Sequence, residues 1–149
     1  MVIGKTGDVS DFNEILSKAV QAPFNKKLDI KIINVQKGSV ELELDTNRDL
    51  ANGLGIVHGG VTASLCDSAM GFAAMTLGVF PVTVEMKLNF LSPGSIGDRL
   101  IAKGKIIKEG KTLIIADGEV YSGNKLIAKS LGTYFAQKTK SDIPSQDIN

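Results

Sequence analysis

At 149 residues, 43% of them apolar, the chain has the size of one domain and enough apolar content to bury a core. Its 17 Lys and Arg against 16 Asp and Glu leave no net basic character to point to nucleic acid as a partner. One cysteine (Cys66) and one histidine (His58) exclude an intrachain disulfide framework and a cysteine-rich metal site, and no carboxylates are spaced to complete a zinc site.

The first residues, Met1 to Asp8, hold no apolar run of signal-peptide length, so the expected compartment is the cytosol. Phe12, Ile15, Leu16, Ala19 and Val20 then share one face of a short amphipathic helix, with Asp11 as its cap, Glu14 in the capping-box position and Pro23 closing it. A strand is expected around 28–35. A second follows where Val40, Leu42 and Leu44 alternate with Glu41, Glu43 and Asp45. An Asn- and Gly-rich loop runs from Thr46 to His58.

From Gly59 to about Leu77 the run is too long for a strand and apolar nearly all round, which describes a helix buried on most of its circumference. Leu50 to Val84 carries Asp67 as its only formal charge, yet six glycines, Pro81 and that central carboxylate argue against a membrane span. Val82, Val84, Met86, Leu88 and Phe90 alternate with polar neighbours as a strand, and three more strands are expected at 99–107, 112–121 and 125–135. The turns between these last three are Lys108-Glu109-Gly110-Lys111 and Ser122-Gly123-Asn124, and the polar segment from Gln137 onward is expected to fray. The expected fold class is α+β. One long central helix is wrapped by a curved antiparallel sheet of about six strands in a single domain, with a core at 28–137 and flexible ends at 1–9 and 138–149.

Asp67 stands in the middle of the apolar helix, where a carboxylate is costly unless it is paired or used. The competing reading is a structural Asp67 bonded to nearby backbone or to Ser68. Gly59-Gly60 at the helix start favours use, because free N–H groups and the helix dipole meet there and can stabilise a carbonyl oxygen gaining negative charge. Eight residues separate Gly59 from Asp67, about 12 Å along a helix axis. Two groups serving one carbonyl must each lie roughly 3 Å from it. One helix therefore cannot supply both, whereas two antiparallel copies related by a two-fold axis can. His58 is read as structural, holding the glycine turn through a ring hydrogen bond, with a general-acid role as the alternative. Cys66, Met70 and Met75 read as core.

Asn52-Gly53-x-Gly55-x-x-His58-Gly59-Gly60 with Asp67 downstream resembles the signature of hotdog-fold acyl-CoA thioesterases of the phenylacetate-pathway and human thioesterase-superfamily type. The segments 82–93 and 108–113 resemble that family too, so the likeness covers roughly residues 28–137. It implies a hotdog fold and hydrolysis of acyl-CoA without a metal or tightly bound cofactor. It also implies active sites shared between subunits of a dimer or dimer of dimers. By the same resemblance Asn52 orients the thioester or water, Thr83 positions the water, and Phe90 lines the substrate channel; the bare residue at 83 also reads as an outward threonine on a strand. Tyrosine often stands at the Phe90 position, so its hydroxyl is missing here. Lys108, Glu109, Gly110, Lys111, Thr112 and Leu113 run along the coenzyme; the bare residues also allow an ordinary solvated turn. Two other functions remain in view: a hotdog hydratase or dehydratase, which usually pairs histidine with a carboxylate, and a non-catalytic acyl-CoA-binding protein.

Overall fold

The computed structural model describes residues 2–3 and 9–138, with side chains from residue 13 onward. The flexible ends expected at 1–9 and 138–149 fall almost wholly outside these residues, as do the side chains of Asp11 and Phe12. The chain order is β1 (Val2–Ile3), α1 (Val9–Val20), α2 (Pro23–Lys27), β2 (Lys31–Gln36), β3 (Ser39–Asp45), a short 3-10 turn (Arg48–Leu50) and α3 (Gly59–Met75). Four long strands follow: β4 (Phe80–Phe90), β5 (Arg99–Glu109), β6 (Leu113–Ser122) and β7 (Lys125–Gln137).

The strands form one sheet in the order β1-β2-β3-β5-β6-β7-β4. Every neighbouring pair is antiparallel except the two-residue β1, which lies parallel to β2. The alternation read in β3 is realised: Val40, Leu42 and Leu44 are fully buried. The opposite face of the sheet carries ion pairs such as Lys129 with Asp117 and Glu119.

The sheet curls around α3, which contacts β3, β4, β5, β6 and β7. Leu65, Cys66, Ala69, Met70, Phe72, Ala73 and Ala74 supply its buried surface. Two paired glycines set how closely helix and sheet approach. Gly104 faces Gly118 across β5 and β6; a Cβ at Gly104 would collide with the Ala69 carbonyl, and one at Gly118 would press on Met70 at 3.2 Å. The helix backbone therefore rests almost directly on the sheet.

Three local expectations differ from what is observed. Pro23 does not only end α1: it opens a second short helix, where its missing N–H costs nothing. Asp11 lies within the first turn of α1 rather than before it. Strand β5 runs on through Lys108 and Glu109, so only 110–112 make the connection; a bulge at Ile107 keeps Lys108 paired with Ile115 and Glu109 with Ile114.

The difference with most consequence is in β4. Its alternation reads as one apolar face from Val82 to Phe90, but a bulge between Thr83 and Glu85 shifts the phase. Val82 and Val84 are left 42% and 58% exposed, while Met86 and Leu88 still pack on the core. Ahead of the bulge, Thr83 becomes the residue facing α3.

Candidate active site

The N-terminus of α3 is fixed by the loop before it. His58 N–H donates to the Leu50 carbonyl at 2.8 Å, and Val57 N–H to Gly94 at 2.9 Å. His58 is the N-cap, its ring Nδ1 accepting from Gly60 N–H at 2.8 Å. A side chain at Gly60 would lie 2.9 Å from that nitrogen and displace the ring. With Gly60 satisfied by the ring and Val61 by the His58 carbonyl, the Gly59 N–H has no acceptor among the described residues.

Asn52 uses its Oδ1 inside the same loop, accepting from Leu54 at 2.9 Å and Ile56 at 3.3 Å. Its side-chain amide nitrogen is left for other contacts. Asn52, Gly59, Thr62, Phe90 and Ser92 line one cavity of about 370 Å³. Phe90 lies over Gly59, close enough that a Cβ there would touch its ring at 3.3 Å.

Two turns further along α3, the half-buried Asp67 opens onto a second cavity of about 290 Å³. Thr83 of β4 donates its hydroxyl to Asp67 Oδ1 at 2.8 Å. Tyr134 of β7, directly opposite Thr83 in the sheet, places its hydroxyl 2.9 Å from the same Oδ1 and 3.1 Å from the Asp67 carbonyl oxygen. Burial together with the adjacent Asp67 charge pushes the Tyr134 phenol well above its ordinary range, so it stays protonated and a donor. Ser68 turns away from Asp67 and donates to Asn25 of α2 at 3.3 Å. Asn25 in turn donates to the Ala19 carbonyl at 2.9 Å, tying α2 against the cavity wall. Phe24, Phe72 and Met75 make the apolar part of that wall.

The expected residues thus fall into two groups along α3: Asn52, Gly59 and Phe90 line a cavity at its start, where His58 caps the helix, and Asp67 and Thr83 line another. The exposed Lys108 and Lys111 belong to neither lining. Their turn still lies at the Asp67 end of the sheet, since Ile114, Tyr134 and Thr83 stand in one row across β6, β7 and β4. Gly110 is required there, because a Cβ would strike the Leu113 carbonyl.

Tyr134 and the α2 residues were not among the candidates read from sequence. A signal for Tyr134 existed. The inward face of β7 reads Ala128, Ser130, Gly132, Tyr134, Ala136, so a lone bulky phenol on a face of small residues needs a partner for its hydroxyl.

Among the described residues, no helix is long and apolar enough to cross a membrane, and no three His, Cys, Asp or Glu side chains are grouped to hold a metal ion.

Residues 54–128 match the Thioesterase superfamily. Over 129 residues the chain is 30% identical to acyl-coenzyme A thioesterase 13 of Mus musculus, an alignment spanning 83% of this chain and 92% of that protein. The structure of the E. coli PaaI protein from the phenylacetic acid degradation operon superposes with a TM-score of 0.79 at 26% identity, covering 84% of this chain and 91% of that one. A Streptococcus mutans protein solved bound to acetyl-CoA superposes with a TM-score of 0.70 at 28% identity, covering 72% and 88%. The helix wrapped in its curved antiparallel sheet is the hotdog fold.

Proposed function

The chain belongs to the thioesterase superfamily, and from that footing we propose that it hydrolyses acyl-CoA thioesters to the free acid and coenzyme A. The observation that carries this reading is the pair of half-sites on α3: a carboxylate held by two hydroxyl donors, and a free N–H at a helix N-terminus.

The Gly59 N–H, aided by the helix dipole, stabilises the thioester oxygen as it becomes an oxyanion. Asp67 either attacks the carbonyl carbon, giving an anhydride that water opens, or takes a proton from the water that attacks. In both routes the acyl carbon gains an oxygen, the carbon–sulfur bond breaks and the leaving sulfur ends as a thiol. Asn52 orients the thioester or the water through its free amide nitrogen. Thr83, whose hydroxyl reaches Asp67, sets the carboxylate beside the water. Lys108 and Lys111 attract the coenzyme phosphates, with Glu109 to Leu113 running along the coenzyme. No metal or tightly bound cofactor takes part.

The two half-sites lie about 12 Å apart along one helix, so the Gly59 N–H that meets Asp67 comes from a second copy of the chain. Self-association is therefore part of the activity. A hydratase or dehydratase reading is disfavoured because the one histidine is occupied as an N-cap, its Nδ1 accepting from Gly60 N–H.

The test is thiol release from a panel of acyl-CoAs, read with a thiol reagent. A hydrolase releases free coenzyme A. A hydratase converts unsaturated acyl-CoAs with no thiol released, and a binding protein does neither.

A further inference from the structure

We propose that Tyr134 is a positioning residue which, with Thr83, occupies Asp67 Oδ1 and thereby makes Oδ2 the oxygen that reacts. This deepens the hydrolase reading and rests on it.

The geometry carries the assignment. Both hydroxyls converge on one atom, Thr83 at 2.8 Å and Tyr134 at 2.9 Å. Among the described residues nothing donates to Oδ2. The Tyr134 hydroxyl also reaches the Asp67 carbonyl oxygen at 3.1 Å, so a single group holds the side chain and main chain of the same residue. Such a three-centre contact ties the carboxylate to its own backbone and limits rotation about both side-chain torsions. Tyr134 itself is anchored: it is 1% exposed, and its ring lies over Gly71 of the next helical turn.

The clamp joins three elements, α3, β4 and β7. It depends on the β4 bulge, which turns Thr83 toward the helix beside Tyr134. The other polar groups of the cavity, Asn25 of α2 and Ser64 and Ser68 of α3, are neutral. Within the described residues, then, no cation competes with the two hydroxyls for the carboxylate. Fixing one oxygen leaves the other at a defined angle to the acyl carbon or water. A carboxylate free to rotate would present either oxygen at many angles.

The experiment uses Tyr134→Phe, which keeps the buried ring and removes only the hydroxyl, alongside Thr83→Val and the double variant. Kinetics are measured on acyl-CoA hydrolysis, and the orientation of the Asp67 carboxylate is read from crystal structures of wild type and variants. Each single variant should lower kcat roughly ten- to hundredfold while KM moves less than about threefold. The double variant should lose less than the product of the single effects, because both hydroxyls serve one atom. In Tyr134→Phe the Asp67 carboxylate should lose its single orientation and populate more than one, since one of its two tethers is removed. Active wild type with unchanged kcat and an unmoved carboxylate in folded Tyr134→Phe overturns the assignment. Should Tyr134→Phe not fold, unchanged kcat and an unmoved carboxylate in Thr83→Val overturn it instead. If wild type releases no thiol, the hydrolase reading fails, and the carboxylate orientation in wild type and Tyr134→Phe still decides whether the clamp exists.

Discussion

In the proposed mechanism the chemistry turns on Asp67, and its replacement by asparagine should leave the fold intact. Asparagine keeps an Oδ1 that can accept from both Thr83 and Tyr134, so Asp67→Asn leaves neither hydroxyl without a partner. Turnover should fall at least about a thousandfold, while the melting temperature stays within a few degrees. Thiol release near the wild-type rate from purified variant would remove Asp67 from the mechanism. The neighbouring Cys66 behaves oppositely: it is fully buried, and desolvation pushes its thiol up to about 11 from 9.0. The folded state thus favours the neutral thiol. As pH rises above about 9, the unfolded chain gives up this proton first, so the contribution is full below that pH and is lost between 9 and about 11. Thermal melts from pH 8 to 11 should steepen in that window, and Cys66→Ala should flatten them.

At the scale of elements, the coenzyme contact proposed at the end of β5 and the turn after it lies outside both cavities. Lys108 and Lys111 are exposed and line neither cavity, so their effect on a bound phosphate is electrostatic and remote from the carbonyl. Replacing both with alanine should raise KM for acyl-CoA several-fold, weaken its dependence on salt and leave kcat within about twofold. An unmoved KM would return them to an ordinary solvated turn. The helix α3, the strand alternation and the hairpins were readable as patterns because each depends on residues two to four positions apart. Phase shifts were not. The bulge in β4 interrupts an alternation that continues unbroken in the sequence, and only pairing with β7 shows where the extra residue falls. Pro23 was ambiguous for a related reason, since a proline that ends one helix can equally begin the next.

For the whole molecule, the separation of the two half-sites makes a quantitative demand. Asp67→Ala and Gly59→Pro should each be inactive, and mixing them with subunit exchange should restore roughly a quarter of wild-type activity. Half the random dimers are mixed, and each of these holds one intact site of two. The proline is compatible with its place. Gly59 is the first helical residue, His58 before it has the extended backbone (φ −61, ψ 133) that precedes proline well, and the crowded Phe90 ring is 59% exposed and free to move. Confirmed exchange without recovery would place the complete site within one chain.

The sequence by itself determined what depends on neighbours along the chain. An apolar helix with one central carboxylate, a glycine turn at its start and alternating strands to wrap it are all local patterns, and helical rise alone separates Gly59 from Asp67 by more than one carbonyl can bridge. Tertiary structure decided the strand order, which carries β4 past the whole sheet to pair with β7. It thereby brought together three residues far apart in sequence, Asp67, Thr83 and Tyr134, through hydroxyls that no spacing rule connects. Such contacts depend on which strands pair and in what register, and that is settled by packing the whole sheet around α3 rather than by any short stretch of chain.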